Sequence, residues 1–189
     1  MAKVTYTGFL SPDNEVYKRG SVVITGNNIN PSSKKKSKPK RNPKEKSYSY
    51  LDRAIELAKQ HHEGQTDKAG KPYIEHPLRL MNQVESEDEK IVAVLHDIVE
   101  DTDMSLDDLR DEGFSEAVIS AIECVTKQDG EDYDSFIERI SFNPLAVKVK
   151  LADLEDNMDL TRLPEVTEKD LERVEKYKSA KEILLRVNK

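Results

Sequence analysis

Cysteine is nearly absent from this 189-residue chain. The single thiol, Cys124, has no partner for an internal disulfide, which fits a reducing compartment. Long hydrophobic runs are absent too. Nothing approaches the roughly 18 consecutive apolar residues of a membrane span. The opening stretch, Met1-Ala2-Lys3-Val4-Thr5-Tyr6, lacks the apolar segment of a secretory signal. The expected location is therefore the cytoplasm, with no membrane partner. No internal repeat is visible.

Charge is abundant but unevenly spread. Residues 34–46, KKKSKPKRNPKEK, hold eight Lys/Arg and one Glu. Residues 47–189 hold 19 basic and 34 acidic residues, a net of about 15 negative charges. Such a body is a poor non-specific binder of nucleic acid. An anionic substrate would need local help against that field, from a metal ion or a few placed cations. The basic run has prolines and no interleaved aromatics, so it reads as a solvated linker ahead of an RNA- or lipid-binding arm.

Three segments follow from the texture. Residues 1–27 carry the β-branched runs Val4-Thr5-Tyr6-Thr7 and Ser21-Val22-Val23-Ile24-Thr25, punctuated by Pro12-Asp13-Asn14 and Gly20. They predict a short β-rich extension, a hairpin or two short strands. Residues 28–47 read as a basic Pro/Ser/Lys linker. Residues 48–189 are helical in pattern. Leu51, Ala54, Ile55 and Ala58 mark one buried face. Ser86 with Glu89 forms a capping-box pattern before Ile91-Val92-Ala93-Val94-Leu95. Ser105 and Ser115 are further N-caps, and Ala117, Val118, Ala121, Ile122 and Val125 form a stripe. Phe136, Ile137 and Ile140 mark a shorter helix, Asn143-Pro144 starts another, and Thr167 with Asp170 caps a last one ending near Val187. The expected body is all-α.

The chemistry sits in His96-Asp97 followed by Glu100-Asp101, expected on one helix. Imidazole and carboxylate together suit Mn, Fe, Co or Zn. On a continuous helix Glu100 lies a turn below His96, and Asp101 a turn below Asp97. That pairs a metal site with carboxylates able to orient water or move protons. An acidic chain produces many such pairs as solvated charge. This one, however, interrupts an apolar helix, where charge needs a partner. His76, at a loop-to-helix junction, and Asp153, on a later helix face with Lys150 and Asn157, are further candidate ligands.

The ordered set His62-Glu63-Gly64-Gln65, Lys68 through Pro77, Leu95 through Thr102, Val125-Thr126-Lys127 and Val149 through Met158 resembles the hydrolase domain of RelA/SpoT-type proteins. Closest in length are the stand-alone small alarmone hydrolases, which have an HD-domain helical bundle. The resemblance covers roughly residues 48–185. It implies His76, His96, Asp97 and Asp153 as metal ligands, with Mn2+ as the ion. Glu100 and Asp101 would be the catalytic carboxylates, and Lys68, Asn157, Lys150 and Tyr73 would belong to the substrate site. His62 would be structural, holding the Gly70 loop. The implied reaction removes the 3′-pyrophosphate from (p)ppGpp.

Two departures stand out. Where the long enzymes carry Arg-Lys, this chain has Asp67-Lys68. Where they read Asp-Arg-Leu-His-Asn-Met-Arg, it reads Asp153-Leu154-Glu155-Asp156-Asn157-Met158-Asp159. Positive charge is lost at both places. An HD phosphohydrolase acting on NADPH, pyrophosphorylated RNA ends or other nucleotides is the first alternative. A non-catalytic nucleotide- or partner-binding module is the second. The sequence leaves the oligomeric state open.

Overall fold

A computed structural model describes residues 49–187. The expected β-rich extension and the basic linker up to residue 47 lie outside the described residues. Within them the chain forms α1 (Tyr50–His61), α2 (Glu75–Met81), α3 (Glu87–Leu95), α4 (Ile98–Asp101) and α5 (Leu106–Asp111). There follow α6 (Glu116–Val125), α7 (Tyr133–Ser141), α8 (Pro144–Met158), a 3-10 turn at Leu160–Arg162, and α9 (Glu168–Val187). The only β feature among the described residues is an isolated antiparallel bridge between Thr66 and Pro72. No helix among them is long and apolar enough to cross a membrane. The body is an all-α bundle, as expected.

α3 is the axis of the bundle. Its run Ile91-Val92-Ala93-Val94-Leu95 is apolar on every side, and all five residues are buried. A helix apolar all round must be enclosed, and α1, α2, α6 and α8 enclose it. Burying a Val, Leu or Ile side chain fully stabilises the fold by roughly 1.5–3 kcal/mol. The first turn of α3 is fixed by Ser86 and Glu89, each side chain accepting from the other's backbone N–H. Ser49 and Ser105 form the same reciprocal box, and Ser115, Asp132 and Asn143 cap their helices by accepting backbone N–H groups through the side chain. α9 packs on α7 and α8 and buries Val174, Ala180 and Leu184.

Two local expectations are corrected. His96-Asp97 and Glu100-Asp101 do not share one uninterrupted helix: α3 ends at Leu95, and α4 begins at Ile98. The His96 ring hydrogen-bonds the Ala93 carbonyl at 2.9 Å through Nδ1, and Asp97 relaxes to φ −99°, ψ −3°. The Asp101 N–H still reaches the Asp97 carbonyl at 2.9 Å, so the four-residue relation survives the break. On α6, Ala117 is exposed and Ile119 is buried. The inward face is therefore rotated toward Ile119 from the expected stripe.

Candidate metal centre

Three elements converge at the end of the axial helix. α2 contributes His76 from its first turn, the α3–α4 junction contributes His96 and Asp97, and the middle of α8 contributes Asp153. His76, His96 and Asp97 each offer a ligating atom within 4.8 Å of the others. Asp153 Oδ1 stands 3.2 Å from His76 Nε2 and 3.8 Å from His96 Nε2. His96 Nε2 lies 2.9 Å from Asp97 Oδ2, and His76 Nε2 lies 3.9 Å from the same oxygen. Ligands about 2.1 Å from one ion lie roughly 3.0–3.4 Å apart along the edges of an octahedron or tetrahedron. These separations fall in and around that range.

The tautomers agree with such a site. His96 Nδ1 faces a carbonyl, which can only accept, so that nitrogen carries the proton. Nε2 is then left buried, with no hydrogen-bond partner despite the nearby Asp97 oxygen. An orphaned buried nitrogen beside two carboxylates is what a metal ligand looks like before the ion is considered. His76 Nδ1 contacts Asp156 Oδ2 at 2.7 Å, which turns its Nε2 toward Asp97 and Asp153. The residues present therefore fit a divalent cation.

Electrostatics point the same way. Burial pulls the His76 pKa down, but hydrogen bonds to Asp153 and Asp156 outweigh it and push it up to about 9. Burial raises Asp97, yet the adjacent His96 wins and holds it at about 2. Asp153 is held well below the usual carboxylate range: burial opposes this, and Lys150 with the two imidazoles overcomes it. Protons on the two histidines and a divalent ion answer the same negative field and compete for the same nitrogens.

The surroundings fix the ligands in place. Lys150 Nζ donates to Asp153 Oδ2 at 2.7 Å, and Asn157 Nδ2 donates to Asp153 Oδ1 at 2.6 Å. The Tyr73 hydroxyl donates to Asp97 Oδ2. Lys150, Asn157 and Tyr73, expected near the substrate, are thus all committed to carboxylates of the centre while also lining the cleft above it. Lys68 lines the cleft as well, with an exposed amine 3.7 Å from Asp170 Oδ1. Glu100 stands on the cleft wall, its Oε2 accepting from the Lys127 N–H at 3.1 Å. Asp101 is exposed and is not among the lining residues. Partial burial and the Asp97 charge hold its carboxyl above the ordinary value.

The loop before α2 is held from within. His62 is buried, and its Nδ1 meets Gln65 Oε1 at 2.8 Å. Its ring lies 4.9 Å from that of Tyr73. Asp67 Oδ1 accepts the N–H groups of Ala69 and Lys71, each at 2.9 Å. Gly70 closes this turn at φ +75°, a conformation that favours glycine. At position 67 the acid therefore shapes the loop.

Sequence reasoning missed Asp156 and the arginines around it. Asp156 is buried and accepts from Arg79 Nε at 2.8 Å, Arg79 Nη2 at 3.0 Å and Arg162 Nη2 at 2.9 Å. The cleft, about 480 Å³, is lined by Arg79, Arg162 and Arg173 together with Tyr133, Phe136 and Tyr177. A signal existed for two of these: Asp156 follows Asp153 by three residues and Arg79 follows His76 by three, so each shares a helix face with a ligand. Arg162, Arg173 and Tyr177 reach the cleft by tertiary packing alone.

No family model matches the chain. Similarity to curated proteins is nevertheless clear. A guanosine-3′,5′-bis(diphosphate) 3′-pyrophosphohydrolase of Aquifex aeolicus is 35% identical over 120 residues, covering 57% of this chain and 17% of that protein. A GTP pyrophosphokinase of Streptomyces coelicolor is 32% identical over 147 residues, 71% of this chain and 16% of that protein. The bifunctional (p)ppGpp synthase/hydrolase SpoT of Escherichia coli is 30% identical over 123 residues, 57% and 17% respectively. The chain thus spans about a sixth of the length of these relatives. Among solved structures, one described as a metazoan ortholog of SpoT that hydrolyses ppGpp superposes with a TM-score of 0.62 at 23% identity. That match covers 75% of this chain and 88% of the other. The described residues have the fold of a SpoT-type HD bundle, and the chain resembles RelA/SpoT-type proteins in sequence.

Proposed function

We propose that this protein is a Mn2+-dependent pyrophosphohydrolase that removes the 3′-pyrophosphate of (p)ppGpp, with residues 48–189 as the hydrolase domain. The observation that carries the reading is the buried, partnerless Nε2 of His96, set among His76, Asp97 and Asp153 at the floor of a cleft bearing arginines. The similarity to named 3′-pyrophosphohydrolases supports the substrate. Residues 1–27 and 28–47 would be an appendage and a linker, and the cytoplasm is the compartment that fits.

His76, His96, Asp97 and Asp153 would hold the ion. When bound, it supplies an acidified water and charge stabilisation at phosphorus. Glu100 accepts the proton of the attacking water through the oxygen not held by Lys127. Asp101, expected as the second catalytic carboxylate, lies outside the cleft lining and would act on that water only from the edge of the site. Lys150 and Asn157 keep Asp153 in position, and Tyr73 does the same for Asp97. The cleft cations hold the phosphates against the acidic body. The water oxygen bonds to the nearer phosphorus of the 3′-diphosphate, the bond from that phosphorus to the ribose oxygen breaks, and the ribose oxygen takes up the proton that Glu100 received. The products are pyrophosphate and a 5′-di- or triphosphate.

Incubating the Mn2+-loaded chain with ppGpp, NADPH and pyrophosphorylated RNA tests the assignment. Pyrophosphate released from ppGpp, with little turnover of the other two, is the expected result. Preferential release of phosphate from NADPH, or of pyrophosphate from RNA ends, would replace the substrate while leaving the reaction class.

A further inference from the structure

The arginines expected at the positions of Asp67 and Asp159 are missing, yet the cleft is not short of cations. Arg79, from α2, and Arg162, from the 3-10 turn after α8, both line it. They are bound to one buried carboxylate. Arg79 presents Nε and Nη2 as a fork to Asp156, and Arg162 places Nη2 against the Asp156 side chain and its carbonyl, at 2.9 and 2.5 Å. Asp156 also accepts from His76 Nδ1.

One carboxylate thus joins two guanidinium groups and one metal-ligating imidazole. Asp159 Oδ2 stands 3.7 Å from Arg162 Nε, so two carboxylates balance the two guanidinium charges, and what the cluster offers is unused N–H donors. Arg79 Nη1 and Arg162 Nη1 make no hydrogen bond among the described residues. Both arginine side chains remain about a third exposed. Planar donors, held on one side and free on the other, are built for phosphate oxygens. The residues at the two neighbouring substitutions do not line the cleft. Leu154 is a buried core residue, and Glu155 is exposed and paired with Lys181 at 2.8 Å.

We propose that Arg79 and Arg162, braced by Asp156, form a two-arginine phosphate clamp that anchors a phosphate group of the substrate and is mechanically joined to the metal centre through His76. The inference rests on the metal-dependent phosphohydrolase reading above. Asp156 is a positioning residue, acting on the ion through His76 and on the phosphate through the arginines. The clamp therefore replaces, from other positions in the chain, the cations missing at Asp67 and Asp159.

The test uses the full chain loaded with one equivalent of Mn2+ and inorganic phosphate as probe, followed by titration calorimetry; Mn2+ affinity is measured separately on the metal-free chain. Arg162→Gln and Arg79→Gln should each weaken phosphate binding about tenfold, the scale of one charge-assisted contact, with Mn2+ affinity within about threefold of wild type. Asp156→Asn should weaken both, because it loosens His76 together with the arginines; outer partners of this kind are typically worth about 10- to 100-fold in metal affinity. Arg162→Lys, which keeps charge but loses the fork, should fall between wild type and Arg162→Gln, and Asp156→Glu, which keeps the charge but moves the carboxylate, should weaken both ligands as well, so that the coupling is read even where Asp156→Asn folds poorly. Unchanged phosphate affinity in both glutamine variants would overturn the clamp. Unchanged Mn2+ affinity in a folded Asp156→Asn would overturn the coupling. If wild type binds phosphate as described but leaves ppGpp intact, the substrate assignment fails and the clamp stands.

Discussion

Glu100 differs from the ligand residues around it in being exposed, a cleft-lining carboxylate with one oxygen tied to a backbone N–H and the other without a hydrogen bond among the described residues. That is the arrangement of a base, whereas His96 is enclosed and partnerless at Nε2, the arrangement of a ligand. Replacing Glu100 by Gln keeps size and most hydrogen bonding. Turnover should fall on the order of 10²–10⁴-fold, the usual loss for a general base, with near-normal metal content. His96→Ala should instead lose the ion, read by metal analysis of the purified protein. Wild-type turnover in Glu100→Gln would remove the carboxylate from the chemistry. At this scale the sequence was most legible where a residue type is rare in its surroundings: His96 and Asp97 interrupt an apolar run, and the structure brings them together with His76 and Asp153. Asp156 was harder to see: its three-residue spacing from Asp153 was the one signal, and in an acidic chain that spacing stands out only once its three basic partners are known.

Among the elements, α3 decides the geometry, since its C-terminal end delivers His96 and its buried sides set where α2 and α8 can stand. Its N-terminus is held by Glu89, which accepts from the N–H groups of Glu85 and Ser86 and from Lys148 Nζ at 2.7 Å. Burial would raise the Glu89 pKa, but Lys148 and the two N–H groups outweigh it and lower it from 4.5 to about 2. A carboxylate with a depressed folded pKa stabilises above its unfolded value, and loses that contribution as pH falls from about 4.5 toward 2. Glu89→Gln should therefore cost about 1–2 kcal/mol at pH 7, allowing for a Lys148 that is half in solvent. The gap to wild type should narrow steadily below pH 4.5, measured by urea unfolding across pH. A gap independent of pH would show that Lys148 and the ionised carboxylate contribute nothing. The capping box itself was readable, because Ser and Glu at that spacing have few other uses before an apolar run. The break between α3 and α4 was not. It follows from the ring of His96 turning back on Ala93, a side-chain choice the pattern does not encode.

Across the whole molecule, the contrast is between a body with a large acidic excess and a cleft where Lys68, Arg79, Lys127, Lys150, Arg162 and Arg173 match the carboxylates that line it in number. Composition announced the first and hid the second, since those cations come from distant segments and meet only in the fold. Most of the helices, their caps and the buried axis were legible from periodicity. The cleft wall supplied by α9 was not, as that helix reads as a charged cover until Arg173 and Tyr177 are seen to reach inward. Everything in this account depends on one ion at His76, His96, Asp97 and Asp153 driving hydrolysis. Titrating the metal-free full chain with Mn2+ while following pyrophosphate release from ppGpp tests that directly. Turnover should be negligible without the ion, rise in proportion to added Mn2+ and level off near one equivalent per chain. Undiminished turnover in the metal-free protein, or a rise that continues to two equivalents, would contradict it.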